Sequence, residues 1–531
     1  METSIFLWFY LGFVLIVCPN KSFAQFSWSN FQQSVSSVSP SARPTGPTGT
    51  ILTRLNGCPI SDKYNIMTVG PSGPLLAEDG QFVEELTHWT HERIPERVVH
   101  AKGYGAFGIF TPTNTKIVSQ YTKAPLFNIP NVTTKVAIRF STTMGSRGSS
   151  DAARDPRGFA IRFYSDIGNF DLLTLSIPIF FVRDPFRFIY FVHSQKPDPV
   201  GNWPSRENTF SFLAANPEAL HAFMYLYSDA GTPDGFRFLP GFSINTFRLT
   251  NSTGGMFFAR FNLVPNGGIH NLTRQQSIQI SGLDPSYSSK DLFNSIRSGN
   301  FPSWTLRVQV MDFDQASKAT FNILDSTKTW WENVYPSIEI GKITLNQNAA
   351  NEFAEIEQLA FKPSNLIPGI NPAPDKLIQA RTIAYIDTQN YRLGANNYKL
   401  PVNLPITPII NPTARDGAYV CDSNYGSIPN FLPNTFDPQY KMDASYYSDS
   451  WSPAEPCIVN RYNSLDNDNY RQPSEFWDSL RPQDRDSLVY NMAMDLMEAS
   501  ADLRSKVVSV VSQANSEFGQ RLSTILSQDS G

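Results

Sequence analysis

Short hydrophobic runs separated by Gly-, Pro- and Asp-rich clusters dominate the chain from about residue 95 to 345. Apolar and polar positions alternate in several of them, including 135–141, 158–164, 255–261 and 304–311. Alternation with a period of two is typical of a strand that buries one face. We therefore predict an antiparallel sheet or barrel of half-buried strands at 95–345, with inserted helices at 217–227 and 288–298.

The rest of the chain follows other patterns. Residues 25–94 begin with a tract rich in Ser, Pro, Gly and Thr and are predicted to form an N-terminal arm. Residues 346–460 are rich in Pro and Asn, have helical spacing only at 374–388, and are predicted to form a long connector that wraps over other surfaces. Residues 461–531 return to helical spacing, with a predicted core-facing stripe of Val489, Met492, Leu496, Val507, Val510 and Val511. The predicted class is α+β, with a barrel core and a helical C-terminal region.

The N-terminus has the pattern of a targeting segment. An apolar run at 5–18 is short for a membrane span, and the small residues Ser22 and Ala24 follow it. This pattern predicts a signal peptide, residues 1–24, cleaved after Ala24. A signal anchor is the alternative, because no basic side chain precedes the run. Export is also supported by three N-glycosylation sequons, which begin at Asn131, Asn251 and Asn271. We expect a secreted protein without a membrane span.

Composition supports a large folded core. The 531-residue chain is 41% hydrophobic and contains 39 Phe and 21 Tyr, enough to enclose an apolar cofactor. Its 43 basic and 47 acidic residues leave a net charge of −4, which gives no reason to expect nucleic-acid binding. The mature chain would keep Cys58, Cys421 and Cys457. These three cysteines could form one disulfide and leave one free thiol, and Cys421 and Cys457 are the pair nearer in sequence.

Two segments carry candidate chemistry. The first is Arg93-Ile-Pro-Glu-Arg-Val-Val-His-Ala-Lys-Gly103, and the second is Arg381-Thr-Ile-Ala-Tyr385. Taken alone, His100 is most simply a satisfied core histidine. Helical i,i+4 spacing places Arg381 beside Tyr385, which by itself describes an ordinary helix-surface pair. The sequence contains no clustered Cys/His metal motif, phosphate-binding glycine loop or Gly-x-Ser-x-Gly elbow.

Both segments closely resemble motifs of the monofunctional haem catalases: the distal-histidine motif and the proximal Arg-x-x-x-Tyr motif. Matching blocks follow in order between them, at 139–142, 154–159, 178–185, 193–196, 233–235 and 302–305. The resemblance runs from about residue 55 to 460. It implies the catalase fold, haem b with ferric iron as cofactor, hydrogen peroxide as substrate, and a homotetramer.

The resemblance also implies a role for each matching residue. Tyr385 is expected to be the axial iron ligand, with its phenolate held charged by Arg381. His100 is expected to move a proton between the two peroxide oxygens, and Ser141 to orient the histidine ring. The other matches are contacts of the cofactor: Arg97, Arg139 and Arg392 for the propionates, and Val99, Phe180 and Phe188 for the apolar walls.

One departure falls in the peroxide-handling pocket. The family reads Gly-Asn-Asn-Thr-Pro where this chain reads Thr174-Leu-Ser-Ile-Pro178, so Leu175 stands in the place of the catalytic asparagine. Leucine cannot donate a hydrogen bond to peroxide, and a missing buried hydrogen bond costs about 1–3 kcal/mol. We therefore expect turnover that is about ten- to a hundred-fold weaker, with Ser176 as the nearest substitute donor.

Three functions remain open at this point. The leading hypothesis is a secreted catalase with attenuated activity. A catalase-fold peroxidase or organic-hydroperoxide enzyme is the second, because Leu175 makes the pocket more apolar. The third is a weakly active or non-catalytic haem-binding protein.

A second departure concerns NADPH, which some relatives bind on their surface. His221 and Ser228 fit that site, but Ala230 stands where an arginine usually meets the phosphate. Phe236 and Phe238 also replace nearby histidines. We expect no tight NADPH binding.

Overall fold

The computed structural model describes residues 49–420, 422–435, 441–443, 460–466 and 468–528. The predicted signal peptide, Cys421 and Cys457 lie outside these residues, while Cys58 is an exposed free thiol. The chain divides into two compact units between Thr90 and His91. The described part of the first unit ends with helix α1, Gly80–Trp89.

In the second unit, the described residues form a sheet of ten strands: β1 Gly103–Pro112, β2 Thr134–Thr142, β3 Arg157–Ser165, β4 Gly168–Leu175, β5 Gly241–Phe242, β6 Phe247–Thr250, β7 Met256–Pro265, β8 Ser303–Met311, β9 Ile338–Asn348 and β10 Ile370–Pro372. The order is β10-β6-β7-β5-β4-β3-β2-β1-β9-β8, and β8 also pairs with β7. Eight strands therefore close an antiparallel barrel, and β6 and β10 extend the sheet beside β7. The predicted barrel core is confirmed.

Aromatic side chains fill the barrel interior. The Phe140 ring lies 4.6 Å from the Phe159 ring and 5.5 Å from that of Trp304, measured between centroids. The indole nitrogen of Trp304 donates to the Leu239 carbonyl at 2.8 Å, so this fully buried ring leaves no polar atom unpaired. Because side chains alternate across each strand, polar residues such as Arg139 and Ser141 of β2 and Arg162 of β3 project from the outer face.

The prediction of half-buried strands is wrong for β2 and β3, in which nearly every residue is buried. The cause is a second layer over their outer face. Ile356, Leu359, Phe361 and Val402 pack there against outward side chains such as Ala137, Tyr164 and Leu173. The Tyr164 hydroxyl donates to the Val402 carbonyl at 2.7 Å. Polar groups on this face are consequently held away from water.

Helices flank the barrel: α2 Thr115–Val118, α3 Pro125–Asn128, α4 Pro185–Gln195, α5 Arg206–Ala215, α6 Leu220–Tyr227, α7 Arg274–Leu283, α8 Tyr287–Arg297, α9 Phe313–Lys318 and α10 Lys376–Leu393. The helices predicted at 217–227, 288–298 and 374–388 correspond to α6 with a preceding 3₁₀ turn, α8 and α10. None of the described helices is long and apolar enough to cross a membrane.

Four helices form the C-terminal region: α11 Arg471–Ser479, α12 Pro482–Leu496, α13 Ala501–Ala514 and α14 Ser516–Gln528. All six members of the predicted stripe on α12 and α13 are buried, which confirms it as core-facing. They share one hydrophobic cluster with Leu220 and Phe223 of α6. The same cluster includes Leu175 at the end of β4, so one continuous apolar cluster connects the helical region with that strand.

Candidate active site

His100 lies against the outer face of β2 and β3. Its Nδ1 is 2.9 Å from the Ser141 Oγ, and its backbone N donates to the Thr143 carbonyl at 2.9 Å. Its φ of +64° is a left-handed conformation that costs a non-glycine residue about 1–3 kcal/mol. A Cβ atom at Gly158 would lie 2.6 Å from both the His100 Nδ1 and the Ser141 Oγ. Glycine at position 158 therefore makes room for the ring.

The electrostatic surroundings keep His100 neutral. Burial lowers the pKa of its imidazole to about 3, and the positive charges of Arg139, Arg381 and Arg97 act in the same direction. Since Nδ1 is directed at Ser141, Nε2 is the ring nitrogen left for other partners. A neutral imidazole with one nitrogen available can accept a proton and return it.

Leu175 lies on the same face of the sheet, beside the histidine ring. Ser141 of β2 pairs with Gly158 of β3, which in turn pairs with Leu175 of β4, so their side chains project to one side. Two strand spacings separate Ser141 from Leu175 by roughly 10 Å, with the imidazole between them at Gly158. Leu175 is 7% exposed. This position therefore borders the space next to His100.

Ser176 does not take the place of the missing donor. Its Oγ accepts a hydrogen bond from the Arg157 backbone N at 2.9 Å, and its own N donates to the Arg157 carbonyl at 2.8 Å. Successive strand residues project to opposite faces, so the hydroxyl is directed away from the Leu175 side.

Leu175 belongs to a large cluster of apolar side chains. Val99, Phe180 and Phe188 pack against the hydrophobic cluster that contains it. The Phe180 and Phe188 rings lie 5.5 Å apart between centroids, and Phe188 belongs to α4. All three side chains thus pack against one large apolar cluster that includes Leu175.

Helix α10 supplies the Arg–Tyr pair. The Arg381 Nη2 is 3.4 Å from the Tyr385 hydroxyl, and the guanidinium carbon lies 5.4 Å from the tyrosine ring centroid. Arg381 also donates through Nη1 to the Asn245 Oδ1. The Asn245 Nδ2 donates to Asp375 at 2.8 Å, and Asp375 caps the start of α10. A continuous chain of hydrogen bonds therefore fixes the guanidinium beside the phenol.

Asn245 and Asp375 support the candidate site through hydrogen bonds, and the sequence reasoning missed both. Asn245 is fully buried and Asp375 is 1% exposed, but they stand 130 positions apart in the chain. Only one signal for either was available in the sequence: an aspartate directly before a predicted helix is a common N-cap. No local pattern connects it to Asn245.

The three arginines matched to propionates lie around one carboxylate. Arg97 Nη1 is 3.2 Å from Glu357 Oε2, and Arg392 Nη2 is 3.0 Å from Glu357 Oε1. Arg139 donates to the His100 and Ala101 carbonyls, while its buried Nε has no partner. Burial would raise the pKa of Glu357, but the three arginines outweigh it and hold the pKa below its ordinary value.

This arginine cluster fits a dianionic group. Three buried guanidinium groups against one carboxylate leave about two positive charges uncompensated, a costly state unless anions bind there. The two propionates of a haem have the matching charge. Among the described residues, no group of three or more His, Cys, Asp or Glu could hold a metal ion.

The fold and site define a β-barrel haem oxidoreductase. A family model described as Catalase matches residues 53–438, and one described as Catalase-related immune-responsive matches residues 464–526. The catalase of Glandirana rugosa is 43% identical over 477 residues, which cover 90% of this chain and 89% of the relative. The catalase of Rattus norvegicus is 42% identical over 479 residues, covering 90% of each. A solved bacterial catalase has a TM-score of 0.85 at 34% identity and covers 93% of this chain and 98% of its own.

The chain therefore belongs to the catalase family. The family's reaction is the haem-dependent decomposition of hydrogen peroxide, which makes this protein an oxidoreductase.

Proposed function

We propose that the chain is a secreted catalase of attenuated activity, in which His100 carries the proton and Tyr385 binds the iron of haem b. The observation that carries the proposal is the neutral imidazole of His100, fixed by Ser141 over Gly158, in a chain that also retains the Arg381–Tyr385 pair. Loss of either histidine or tyrosine would have left a haem-binding protein without this chemistry.

Arg97, Arg139 and Arg392 would hold the propionates, because their charge excess and the unpartnered Nε of Arg139 call for anions at that place. Arg381 would keep the Tyr385 phenol ionised on the iron. Val99, Phe180 and Phe188 would contact the macrocycle and the peroxide approach. When bound, haem supplies the redox-active iron at which the peroxide bond is cleaved.

The protein's own contribution to that cleavage is proton transfer. His100 Nε2 would accept the proton from one peroxide oxygen and deliver it to the other, which leaves as water. Ser141 would keep Nδ1 occupied so that the ring is aligned for both transfers. Because burial lowers its pKa to about 3, the imidazole is unprotonated at any ordinary pH before peroxide binds.

Attenuation would follow from Leu175. The apolar side chain borders His100 but offers no donor to hold peroxide, and the Ser176 hydroxyl, which accepts from the Arg157 backbone N, is directed to the opposite face. Loss of one hydrogen bond to the substrate corresponds to about 1–3 kcal/mol. The histidine and the iron ligand remain, so turnover should be weakened rather than abolished.

A second candidate function is the reduction of organic hydroperoxides. The cluster of Leu175 with Val99, Phe180 and Phe188 favours it, because an apolar wall attracts an alkyl substituent. Purified residues 25–531 would be assayed with an oxygen electrode for H₂O₂ and by hydroperoxide consumption for cumene hydroperoxide, alongside a visible spectrum. Faster H₂O₂ turnover with oxygen release supports the catalase. Faster cumene hydroperoxide turnover without oxygen release supports the alternative, and absence of a haem spectrum contradicts both.

We also propose that the chain does not bind NADPH tightly. Phe476 of α11 stacks on Tyr225 at 4.2 Å between centroids, and both rings pack near His221, which is 2% exposed. A nucleotide would have to displace these aromatic contacts and would find Ala230 in place of a cationic phosphate partner. Release of NADPH on denaturing the purified protein, measured by fluorescence, would overturn this proposal.

Secretion as a glycoprotein is the remaining part of the proposal. Asn131 and Asn271 are exposed, whereas Asn251 donates to the Gln120 carbonyl and accepts from Thr253 and Gly255. We expect glycans at the first two sequons and little at the third. Mass spectrometry of peptides from the medium, before and after deglycosylation, tests this expectation together with cleavage after Ala24.

A homotetramer is proposed from the family resemblance. It is supported by exposed apolar side chains on two neighbouring helices: Phe186, Ile189 and Tyr190 of α4, and Ile383 and Tyr391 of α10. Light scattering of the purified protein should give four times the mass of the mature chain.

A further inference from the structure

Glu357 joins two arginines that come from distant parts of the chain. Its Oε2 accepts a hydrogen bond from Arg97 Nη1 at 3.2 Å, and its Oε1 accepts one from Arg392 Nη2 at 3.0 Å. The side chain of Glu357 is 4% exposed, so water and salt screen these contacts little. One carboxylate therefore holds two guanidinium groups at a fixed separation, at the place where we propose that the haem propionates bind.

The turn that carries this carboxylate is itself fixed. Phe353–Glu357 is a π-helical turn, a form that is frequent at functional sites. Ile356 packs so closely on β1 that a Cβ atom at Gly105 would lie 2.7 Å from its Cδ1. Arg97 Nη2 also donates to three backbone carbonyls within residues 356–359, at 2.9 to 3.2 Å. The direction of the Glu357 carboxylate is therefore set by packing and hydrogen bonds within the chain.

Electrostatics make Glu357 and its partners depend on one another. Burial lowers the pKa of Arg97, and the charges of Arg139 and Arg392 lower it further, whereas Glu357 raises it. Burial alone would raise the pKa of Glu357, but the arginines hold it below its ordinary value. The carboxylate consequently stays ionised. Its charge reduces the repulsion between buried guanidinium groups that would otherwise move apart before an anion binds.

Only a carboxylate can make both contacts. Each of its oxygens accepts a guanidinium N–H, whereas the amide of a glutamine would turn its NH₂ group, which is a donor, toward one of the two arginines. That arginine would lose its partner and its fixed position. We propose that Glu357 is a positioning residue for haem, which acts through Arg97 and Arg392 by holding both guanidinium groups ready for the propionates. The role rests on the proposed function, since it requires the propionates to bind at this cluster.

The test uses the purified mature holoprotein and two measurements. The rate of haem transfer to excess apomyoglobin reports how firmly haem is held, and the propionate bending bands of the resonance Raman spectrum report hydrogen bonding at the propionates. Glu357→Gln should transfer haem at least about ten-fold faster, the scale of one lost charge-assisted hydrogen bond, and its propionate bands should shift. Glu357→Asp keeps the charge on a shorter side chain, so both effects should be smaller.

Glu352→Gln is the matched control. It removes the same charge from the position directly before the same turn. The Glu352 side chain is 43% exposed, and its ion-pair partner is Arg147, at 4.0 Å, instead of Arg97 or Arg392. Haem transfer and the propionate bands of this variant should therefore match those of the parent protein.

A purely structural role of Glu357 predicts another result. Glu357→Gln would then lower the melting temperature and leave the propionate bands unshifted, which would overturn the proposal. Haem transfer at or below the parent rate in Glu357→Gln, or equal effects in Glu352→Gln, would overturn it as well. If Glu357→Gln does not fold, Glu357→Asp decides, because unshifted propionate bands in that variant contradict the positioning role. A parent protein that contains no haem would contradict the proposed function itself, and the role of Glu357 with it.

Discussion

The substitution Leu175→Asn would put back the hydrogen-bond donor that the peroxide side of this protein lacks. Position 175 is directly paired with Gly158, over which the His100 ring lies, so an amide there would project into the space beside the imidazole. A neutral hydrogen bond to peroxide in a buried site is worth about 1–3 kcal/mol. The expected result is a rise in the H₂O₂ rate of about ten- to a hundred-fold.

The same change should reduce stability. Leu175 is 7% exposed, and losing a buried leucine side chain costs about 1.5–3 kcal/mol in hydrophobic transfer. Desolvation of an amide that finds no permanent partner adds about 1–3 kcal/mol. The melting temperature should therefore fall while the rate rises. Oxygen evolution at saturating haem content, normalised to the haem spectrum, separates the two effects.

Two control variants make the experiment decisive. Leu173→Asn alters the same strand and the same face at 8% exposure, but Leu173 packs in the cluster of Tyr385 and not in that of Val99. It should lower stability without raising the rate. Leu175→Ala opens space without adding a donor and should also leave the rate near that of the parent protein. The reasoning fails if Leu175→Asn is no faster than the parent, or if Leu175→Ala gains as much.

Three further predictions follow from the site geometry. Gly158→Ala should lower peroxide turnover at least about ten-fold in stopped-flow assays with the haem spectrum retained, since its Cβ would lie only 2.6 Å from the His100 Nδ1 and displace the ring; normal turnover would show that the ring does not need this space. Asn245→Leu should release Arg381 and shift the visible bands of the haem that we propose Tyr385 binds, whereas an unchanged spectrum would show that the hydrogen-bond chain has no influence. Because burial lowers the pKa of His100 to about 3, its imidazole stays neutral as the pH falls through 6.5. Peroxide turnover should therefore be independent of pH between about pH 5 and 8. A loss of turnover with an apparent pKa near 6.5 would refute this reasoning.

The fold class was accessible from local patterns. Strands β2, β3, β7 and β8 and helices α6, α8 and α10 lie where period-two and helical spacings predict them. The prediction failed in the solvent exposure that it assigned to the strand residues. Polar residues such as Lys135, Arg139 and Ser141 alternate with apolar ones, which indicates a strand with one solvent-exposed face. In β2, however, that face is covered by residues 356–361. The segment that covers β2 lies more than two hundred positions away in the sequence. The hydrophobic periodicity of the strand therefore cannot indicate that its outer face is covered.

By itself, the sequence determined the barrel and its inserted helices, and through family-like motifs it proposed His100, Ser141, the arginines and Tyr385 as candidate site residues. It also located Leu175 as the departure. Only the tertiary structure decided the rest: that Gly158 provides the space for His100, that Ser176 is engaged by Arg157, and that Asn245 and Asp375 hold Arg381. Each of these depends on strand register or on contacts between distant segments. Such contacts are set by packing of the whole chain, because a hydrogen bond depends on the distance and direction between two atoms in space. The separation of their residues along the sequence does not determine either quantity.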